Sequence, residues 1–280
     1  MPQPDNTAIR TALWRALHVQ IDRQPHIIED VIGLQLAAPE ANWQQTRPEM
    51  HADFTKRLRA SMVARARFIE DLVLEQNKKG INQYVLLGAG LDSFAQRHAG
   101  KTDRLQVFEI DQPGTQAWKQ NRLQELGYGM PGNLHFVPVN FETHHWWMLL
   151  HQSGFDQHQP SMVACTGVTL YLTPAAIEAT LRQIATWAPG TTLAMTFYLP
   201  LQAMDAEDQP LQELAEKGAR AAGTPFVSFF LPGQVLEMAA NAGFTTARIV
   251  SDKDLAQQYF AGRTDRLSPA SGEYFLVATT

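Results

Sequence analysis

The sequence predicts an α/β fold built on a doubly wound, mostly parallel sheet, and three observations predict it. The first is the order strand, glycine turn, helix. Gln83-Tyr84-Val85-Leu86-Leu87 is a short apolar run, in part β-branched or aromatic, as in a strand buried on both faces. Gly88-Ala89-Gly90 follows at once, and Ser93 to His98 is compatible with a helix. Glycines lack Cβ, so the chain can turn sharply there and a ligand can lie against bare backbone. The second observation is another apolar run, Leu105 to Asp111, whose end carries Glu109 and Asp111 about twenty residues past the glycines, where a carboxylate can accept both ribose hydroxyls. The third is a strand–helix rhythm that runs to Tyr198 and then gives way to two closing strands.

Before the first strand the chain reads as helical. Thr11 to His18 has apolar residues at helical spacing, Pro25 interrupts, and Ile27 to Leu36 forms a second apolar run. Pro39 to Arg47 is polar and loop-like. From Phe54 to Glu75 a longer helix places Leu58, Met62, Ala66, Ile69, Leu72 and Val73 on one face, and Lys78-Lys79-Gly80 stops it. Residues 1–80 thus form an expected N-terminal helical cap, and 81–280 an α/β core. The core repeats strand and helix: strands at Tyr84–Leu87, Gln106–Ile110, His135–Val139, Ser161–Cys165 and Thr192–Tyr198, with helices over Gln112–Leu126, Trp146–Leu150 and Pro174–Trp187 between them. Pro113 suits a first helical turn, and Thr173 suits an N-cap. Residues 199–230 break the rhythm and read as a lid-like insertion. A helix over Leu231–Ala242 closes at Gly243. Ala247–Val250 and Glu273–Ala278 read as last strands with no proper crossover helix between them, hence an antiparallel ending. Parallel doubly wound sheets bind ligands at the strands' carboxyl ends, where Asp92, Asp111, Asn140 and Thr166 stand.

Composition narrows the function. Across 280 residues, 45% hydrophobic and 18% charged residues describe a globular chain with ample core. A net charge of −5 argues against a nucleic-acid partner, which needs a basic stripe. One cysteine, Cys165, fits a reducing cytoplasm. The first residues lack a signal-peptide pattern, and no apolar run approaches a membrane span.

The glycine run alone leaves the ligand open, because Ser93 holds the third glycine place of the dinucleotide fingerprint. An NAD-linked oxidoreductase would keep that glycine and an all-parallel sheet. The chain resembles class I S-adenosylmethionine-dependent methyltransferases, and within them the bacterial members of the leucine carboxyl methyltransferase, or protein phosphatase methyltransferase, family. The resemblance rests on Arg65-Ala-Arg67-Phe-Ile-Glu-Asp71, Leu86-Leu-Gly-Ala-Gly-Leu-Asp-Ser93, Val107-Phe-Glu-Ile-Asp-Gln-Pro113, Val137-Pro-Val-Asn-Phe-Glu142, Gly167-Val-Thr-Leu-Tyr-Leu-Thr173 and Tyr259-Phe-Ala-Gly-Arg-Thr-Asp265. It covers nearly the whole chain.

The resemblance implies a Rossmann-like class I methyltransferase fold, a mostly parallel seven-stranded sheet with an antiparallel last strand. It also implies S-adenosyl-L-methionine as cofactor and S-adenosyl-L-homocysteine as product. Arg65, with Arg67 as the nearby alternative, would pair with the methionine carboxylate. Gly88, Ala89 and Gly90, with Asp92 and Glu109 around them, would border the methionine and ribose. Asp111 would hold the ribose hydroxyls, and Asn140 and Phe141 the adenine. Two residues depart from the family pattern: Asn140 stands for Asp, and Thr166 for the Glu of the phosphatase-methylating members. The second departure turns the expected acceptor from a carboxyl-terminal leucine toward a small molecule.

Methyl transfer from a sulfonium to oxygen rests mainly on positioning, worth on the order of 7–11 kcal/mol in favourable cases. A hydroxyl acceptor also needs its proton removed. Tyr171, Tyr198 and His144 are candidates for that role, with His18 and His145 further histidines to weigh. A binding protein without turnover is the remaining alternative. No metal site is expected: Glu142, His144 and His145 are dense, but neighbours on one short segment rarely converge on one ion.

Overall fold

A computed structural model of the chain describes residue 4, residues 6–140 and residues 145–280. Phe141 and His144 of the expected site lie outside the described residues, as does Glu142. Four helices precede the sheet: α1 (Asn6–Ile21), α2 (Ile32–Ala37), α3 (Trp43–Thr46) and α4 (Lys56–Lys78). Gly80, at φ +92°, ends the run that follows α4, as the glycine stop predicts. Then come β1 (Gln83–Leu87), α5 (Phe94–Arg97), β2 (Gln106–Asp111), α6 (Pro113–Glu125), β3 (Leu134–Pro138), α7 (Trp146–Gln152) and β4 (Met162–Cys165). The chain closes with α8 (Pro174–Ala185), β5 (Thr192–Tyr198), α9 (Gln209–Ala221), α10 (Pro232–Ala242), β6 (Thr246–Val250), α11 (Asp252–Tyr259) and β7 (Glu273–Thr279).

The seven strands lie in the order β3-β2-β1-β4-β5-β7-β6. Strands β1 to β5 pair in parallel, and β7 runs antiparallel to both of its neighbours. Every residue of β1 is buried, because the sheet is covered on both faces. Tyr84 and Leu86 pack with Phe68, Ile69 and Val73 of α4, while Val85 and Leu87 pack with Ile177, Leu181 and Ile184 of α8. Each such side chain contributes about 1.5–3 kcal/mol on burial. This two-sided cover is why the strands read as unbroken apolar runs rather than alternating ones. Among the described residues no helix is long and apolar enough to cross a membrane.

The structure corrects the sequence reading in two places. The polar stretch 39–47 holds α3, because Trp43 is buried against Leu13, Leu17 and Met50 and draws one helical turn onto the core. A helix does stand between the last two strands: α11 is opened by a capping box in which Asp254 N donates to Ser251 Oγ at 3.2 Å and Ser251 N donates to Asp254 at 2.8 Å. As the antiparallel ending predicts, β7 runs antiparallel to β6 and to β5. The last strand enters between β5 and β6.

Residues 199–230 are fastened at both ends. Asp208, fully buried, pairs with Arg57 of α4 and accepts from Ser271 N and Ser271 Oγ at 2.8 and 2.9 Å. Val227 N donates to Leu170 O at 2.7 Å, and Phe230 N to Tyr198 O at 2.8 Å. The segment therefore lies across the carboxyl ends of β4 and β5.

Candidate functional site

The carboxyl edge of the sheet gathers most of the expected residues into one arc. At its centre Gly88 and Gly90 have φ of +74° and +53°, a region that side chains with Cβ rarely adopt. A Cβ on Gly88 would lie 2.4 Å from Val168 Cγ2, so the turn after β1 sits directly against the turn after β4. Gly88 N and Ala89 N both donate to Ile110 O, which ties the turn to the end of β2. Asp111 closes that side: its carboxylate accepts from Gly90 N at 2.6 Å and Gln112 N at 2.7 Å. Val139 N donates to Asp111 O at 2.9 Å, which sets Asn140 beside Asp111 at the end of β3. Asp92 accepts from Phe94 N at 2.7 Å and so fixes the start of α5.

Glu109 is different in kind. It is 1% exposed and pairs with the equally buried Lys119 at 2.5 Å, while Gln116 Nε2 donates to its backbone oxygen. Burial pushes its carboxyl up to about 7, against the pull of the Lys119 charge. Glu109 thus stands under the arc and joins β2 to α6.

On the other side of the glycines, Arg65 of α4 reaches the end of β4. A Cβ on Gly167 would lie 3.0 Å from Arg65 Nη1, so only glycine lets the guanidinium lie on that turn. Arg65 Nη1 donates to Glu273 at 2.8 Å, and both side chains are close to fully buried. Burial works against the Arg65 charge, but Glu273, together with the Tyr198 and Tyr171 hydroxyls, holds its pKa above the ordinary arginine value. Glu273 enters the arc through the strand reversal. It is the first residue of β7 and pairs in register with Tyr198, the last residue of β5. Burial and the Glu273 charge push the Tyr198 phenol well above its ordinary range, so it stays protonated and can donate. Phe226 bridges the two tyrosines, 5.5 Å from the Tyr171 ring and 6.2 Å from the Tyr198 ring. Thr166 follows β4 directly and carries no charge. Arg67, in contrast, turns outward to Asp71 at 2.9 Å and takes no part in the arc.

The histidines are accounted for locally. His18 is fully buried, accepts from Ile27 N at Nε2 and therefore donates from Nδ1 to Asp22, both at 2.8 Å. His145 stacks on Trp147 at 4.6 Å, at the start of α7. Cys165 is buried, and burial pushes its thiol up to about 12, which removes it as a nucleophile.

Three residues of the arc were not singled out in the sequence. Glu273 was legible in principle: an antiparallel last strand puts its first residue at the edge where strand five ends. Gly167 was quoted only as part of a motif, and its closeness to Arg65 follows from packing alone. Asp30 also emerges from packing. It is fully buried, pairs with Arg15 at 2.7 Å and accepts from Gly33 N and Ser93 Oγ, while Arg15 donates to Leu91 O at 2.9 Å. Through Asp30 and Arg15 the helices before the sheet hold the turn after β1. A Cβ on Gly90 would lie 3.3 Å from the Ala8 Cβ of α1, closer than ordinary van der Waals contact.

The reversed β7 separates this sheet from parallel nicotinamide-binding ones, and its strand order is that of the class I methyltransferases, which use S-adenosylmethionine. The donor set fits that cofactor: bare glycine backbone beside the Asp111 carboxylate, and a buried guanidinium at the far end. The chain belongs to the leucine carboxyl methyltransferase family, whose sequence profile matches residues 8–185. A protein of Bacillus subtilis (strain 168) that carries the name of an S-adenosyl-L-methionine-dependent methyltransferase is 30% identical over 97% of this chain and 96% of its own length. A similarly named relative from Mycobacterium sp. (strain JLS) is 35% identical, but over 54% of this chain and 48% of that relative. In fold, the chain matches a crystal structure from Thermobifida fusca YX, titled as that of a methyltransferase. The TM-score is 0.61 at 16% identity, over 100% of this chain and 96% of the other. A DUF574 family protein from Streptomyces avermitilis MA-4680 matches with a TM-score of 0.58 at 14% identity, over 100% and 98%.

Proposed function

We propose that the protein transfers the methyl group of S-adenosylmethionine to an oxygen of a small molecule, a hydroxyl or a carboxylate. The observation that carries this reading is the arc itself. It runs from Asn140 and Asp111 through the glycine turn to Arg65, and an aromatic wall of Tyr171, Phe226 and Tyr198 continues it. In this reading Asn140 and Phe141 serve the adenine and Asp111 the ribose hydroxyls. Gly88, Ala89, Gly90 and Asp92 border the backbone-facing part of the cofactor. Thr166 and Gly167 line its methionine end, and Arg65 takes the methionine carboxylate. Glu109 supports Asp111 from below rather than touching the ligand.

When bound, the cofactor supplies a sulfonium methyl that an oxygen nucleophile can displace in line. The chain's own part is to hold the acceptor and keep water out. Tyr198, held protonated beside Glu273, sets one wall of the acceptor space. Phe226 and Tyr171 offer flat apolar contact to the body of a small molecule. Helices α1 to α4 and residues 199–230 act as the cover of that mouth, the first as a cap and the second as a lid. The buried thiol of Cys165 and the charge balance suit a cytoplasmic enzyme.

The test has two stages. Calorimetric titration with S-adenosylmethionine and S-adenosylhomocysteine, with NAD as control, is expected to show the first two binding and NAD not. Arg65→Ala and Asp111→Ala are each expected to weaken that binding about 10- to 100-fold. A screen of hydroxy and carboxy compounds for S-adenosylhomocysteine release then identifies the acceptor class. NAD binding with neither adenosyl compound bound would overturn the reading.

A further inference from the structure

We infer that Glu273 is the cofactor's ammonium-binding residue, so that Arg65 and Glu273 together recognise the zwitterionic head of its methionine part. The inference rests on the cofactor reading above and goes one residue further. An α-amino acid carries its carboxylate and ammonium two bonds apart. A buried cation that takes the carboxylate therefore brings the ammonium into the same enclosed space, where an unpaired charge is costly. A site that holds both ends needs one charge of each sign within a few ångströms.

The arc offers that pair at one place. Arg65 and Glu273 meet at 2.8 Å, with side-chain exposures of 11% and 9%. The guanidinium lies on the Gly167 turn, immediately after Thr166, at the carboxyl end of β4. Glu273 arrives there from β7, opposite Tyr198. Three other described carboxylates of the arc have partners of their own. Asp111 holds Gly90 N and Gln112 N, Asp92 holds Phe94 N, and Glu109 is enclosed with Lys119. Thr166 offers no charge. Guanidinium has five N–H donors in a planar fork, so one edge can stay with Glu273 while another meets a ligand carboxylate.

The experiment is calorimetric titration of the full chain and of Glu273→Gln with three probes. S-adenosylhomocysteine carries both charges of the amino acid, decarboxylated S-adenosylmethionine keeps the amine and lacks the carboxylate, and 5′-methylthioadenosine lacks both. Glu273→Gln is expected to bind the first two about 10- to 100-fold more weakly, the cost of one charge-assisted hydrogen bond, with 5′-methylthioadenosine unchanged. Unchanged binding of decarboxylated S-adenosylmethionine would mean that Glu273 acts only through Arg65, and would overturn the inference. So would equal weakening of all three probes, or tighter binding of S-adenosylhomocysteine, which two competing carboxylates would produce. If the variant does not fold, the wild type decides: it must bind decarboxylated S-adenosylmethionine at least about tenfold more tightly than 5′-methylthioadenosine, and equal affinities overturn the assignment. Failure of the wild type to bind S-adenosylhomocysteine at all would instead remove the cofactor reading on which the inference stands.

Discussion

Ser93 Oγ donates to Asp30 Oδ1 at 2.6 Å, across 63 positions of sequence, and so joins the residues ahead of the sheet to the turn after β1. Asp30 also holds Arg15 and Gly33 N, and no part of it is exposed. Asp30→Ala leaves Arg15 as an uncompensated buried charge. The expected loss is about 3–5 kcal/mol of stability, measured by urea unfolding, together with weaker S-adenosylhomocysteine binding because the turn loses its anchor.

Gly88→Ala tests the close approach of the two turns. The new methyl meets Val168 Cγ2 at 2.4 Å, on a backbone at φ +74° that alanine disfavours. A stability loss of about 1–3 kcal/mol is expected in thermal unfolding. A variant as stable as wild type would show that the turns after β1 and β4 are not in contact in solution.

Asp111→Ala removes the carboxylate proposed to hold the ribose and also releases Gly90 N and Gln112 N. Affinity for S-adenosylhomocysteine and for 5′-methylthioadenosine should fall together, each about 10- to 100-fold, since both carry the ribose. This pattern separates Asp111 from residues that act at the amino-acid end. Calorimetry with the two probes reads it directly.

Acid should release one clasp within the helices that precede the sheet. Burial raises the Asp22 pKa, but hydrogen bonds from Arg59 and His18 outweigh it and bring the carboxyl to about 2. A depressed carboxyl stabilises the fold while ionised, so its contribution is complete above about pH 4 and is lost as pH falls toward 2. The amount is about 2 kcal/mol. Unfolding free energies measured through that window should drop more steeply for the wild type than for Asp22→Asn.

Asp208→Ala should loosen residues 199–230 without unfolding the sheet. Arg57 and Ser271 lose their shared partner, while the backbone bonds of Val227 and Phe230 remain. Faster limited proteolysis within the segment, at a global stability lowered by about 1–3 kcal/mol, is the expected result. Cleavage rates equal to wild type would show that Asp208 does not hold the segment down.

The legible part of the fold was the part governed by local pattern. β5 spans Thr192–Tyr198 as read, and the Thr173 side chain accepts from Ala176 N as the N-cap reading requires. Two-sided burial made β1, β2 and β4 visible as apolar runs. α11 escaped because Leu255 is its one buried apolar residue, too few to show a period, although its Ser251-x-x-Asp254 box was in plain view. For the candidate site, short motifs could nominate Gly88, Gly90, Asp111 and Arg65, which the structure brings to one edge of the sheet. Asp30 could not, because it meets its partner Ser93 across 63 positions and no periodicity encodes that distance, whereas Glu273 was within reach of the antiparallel ending but its pairing with Arg65 was not.

The position of β7 also sets the order in which the molecule can be made. β7 follows the other six strands in sequence, yet it is an interior strand, paired on both sides. Until it has left the ribosome, β5 has an unpaired edge, β6 has no neighbour in the sheet, and Arg65 has been synthesised long before its carboxylate partner. An exposed strand edge of that kind is a template for intermolecular pairing.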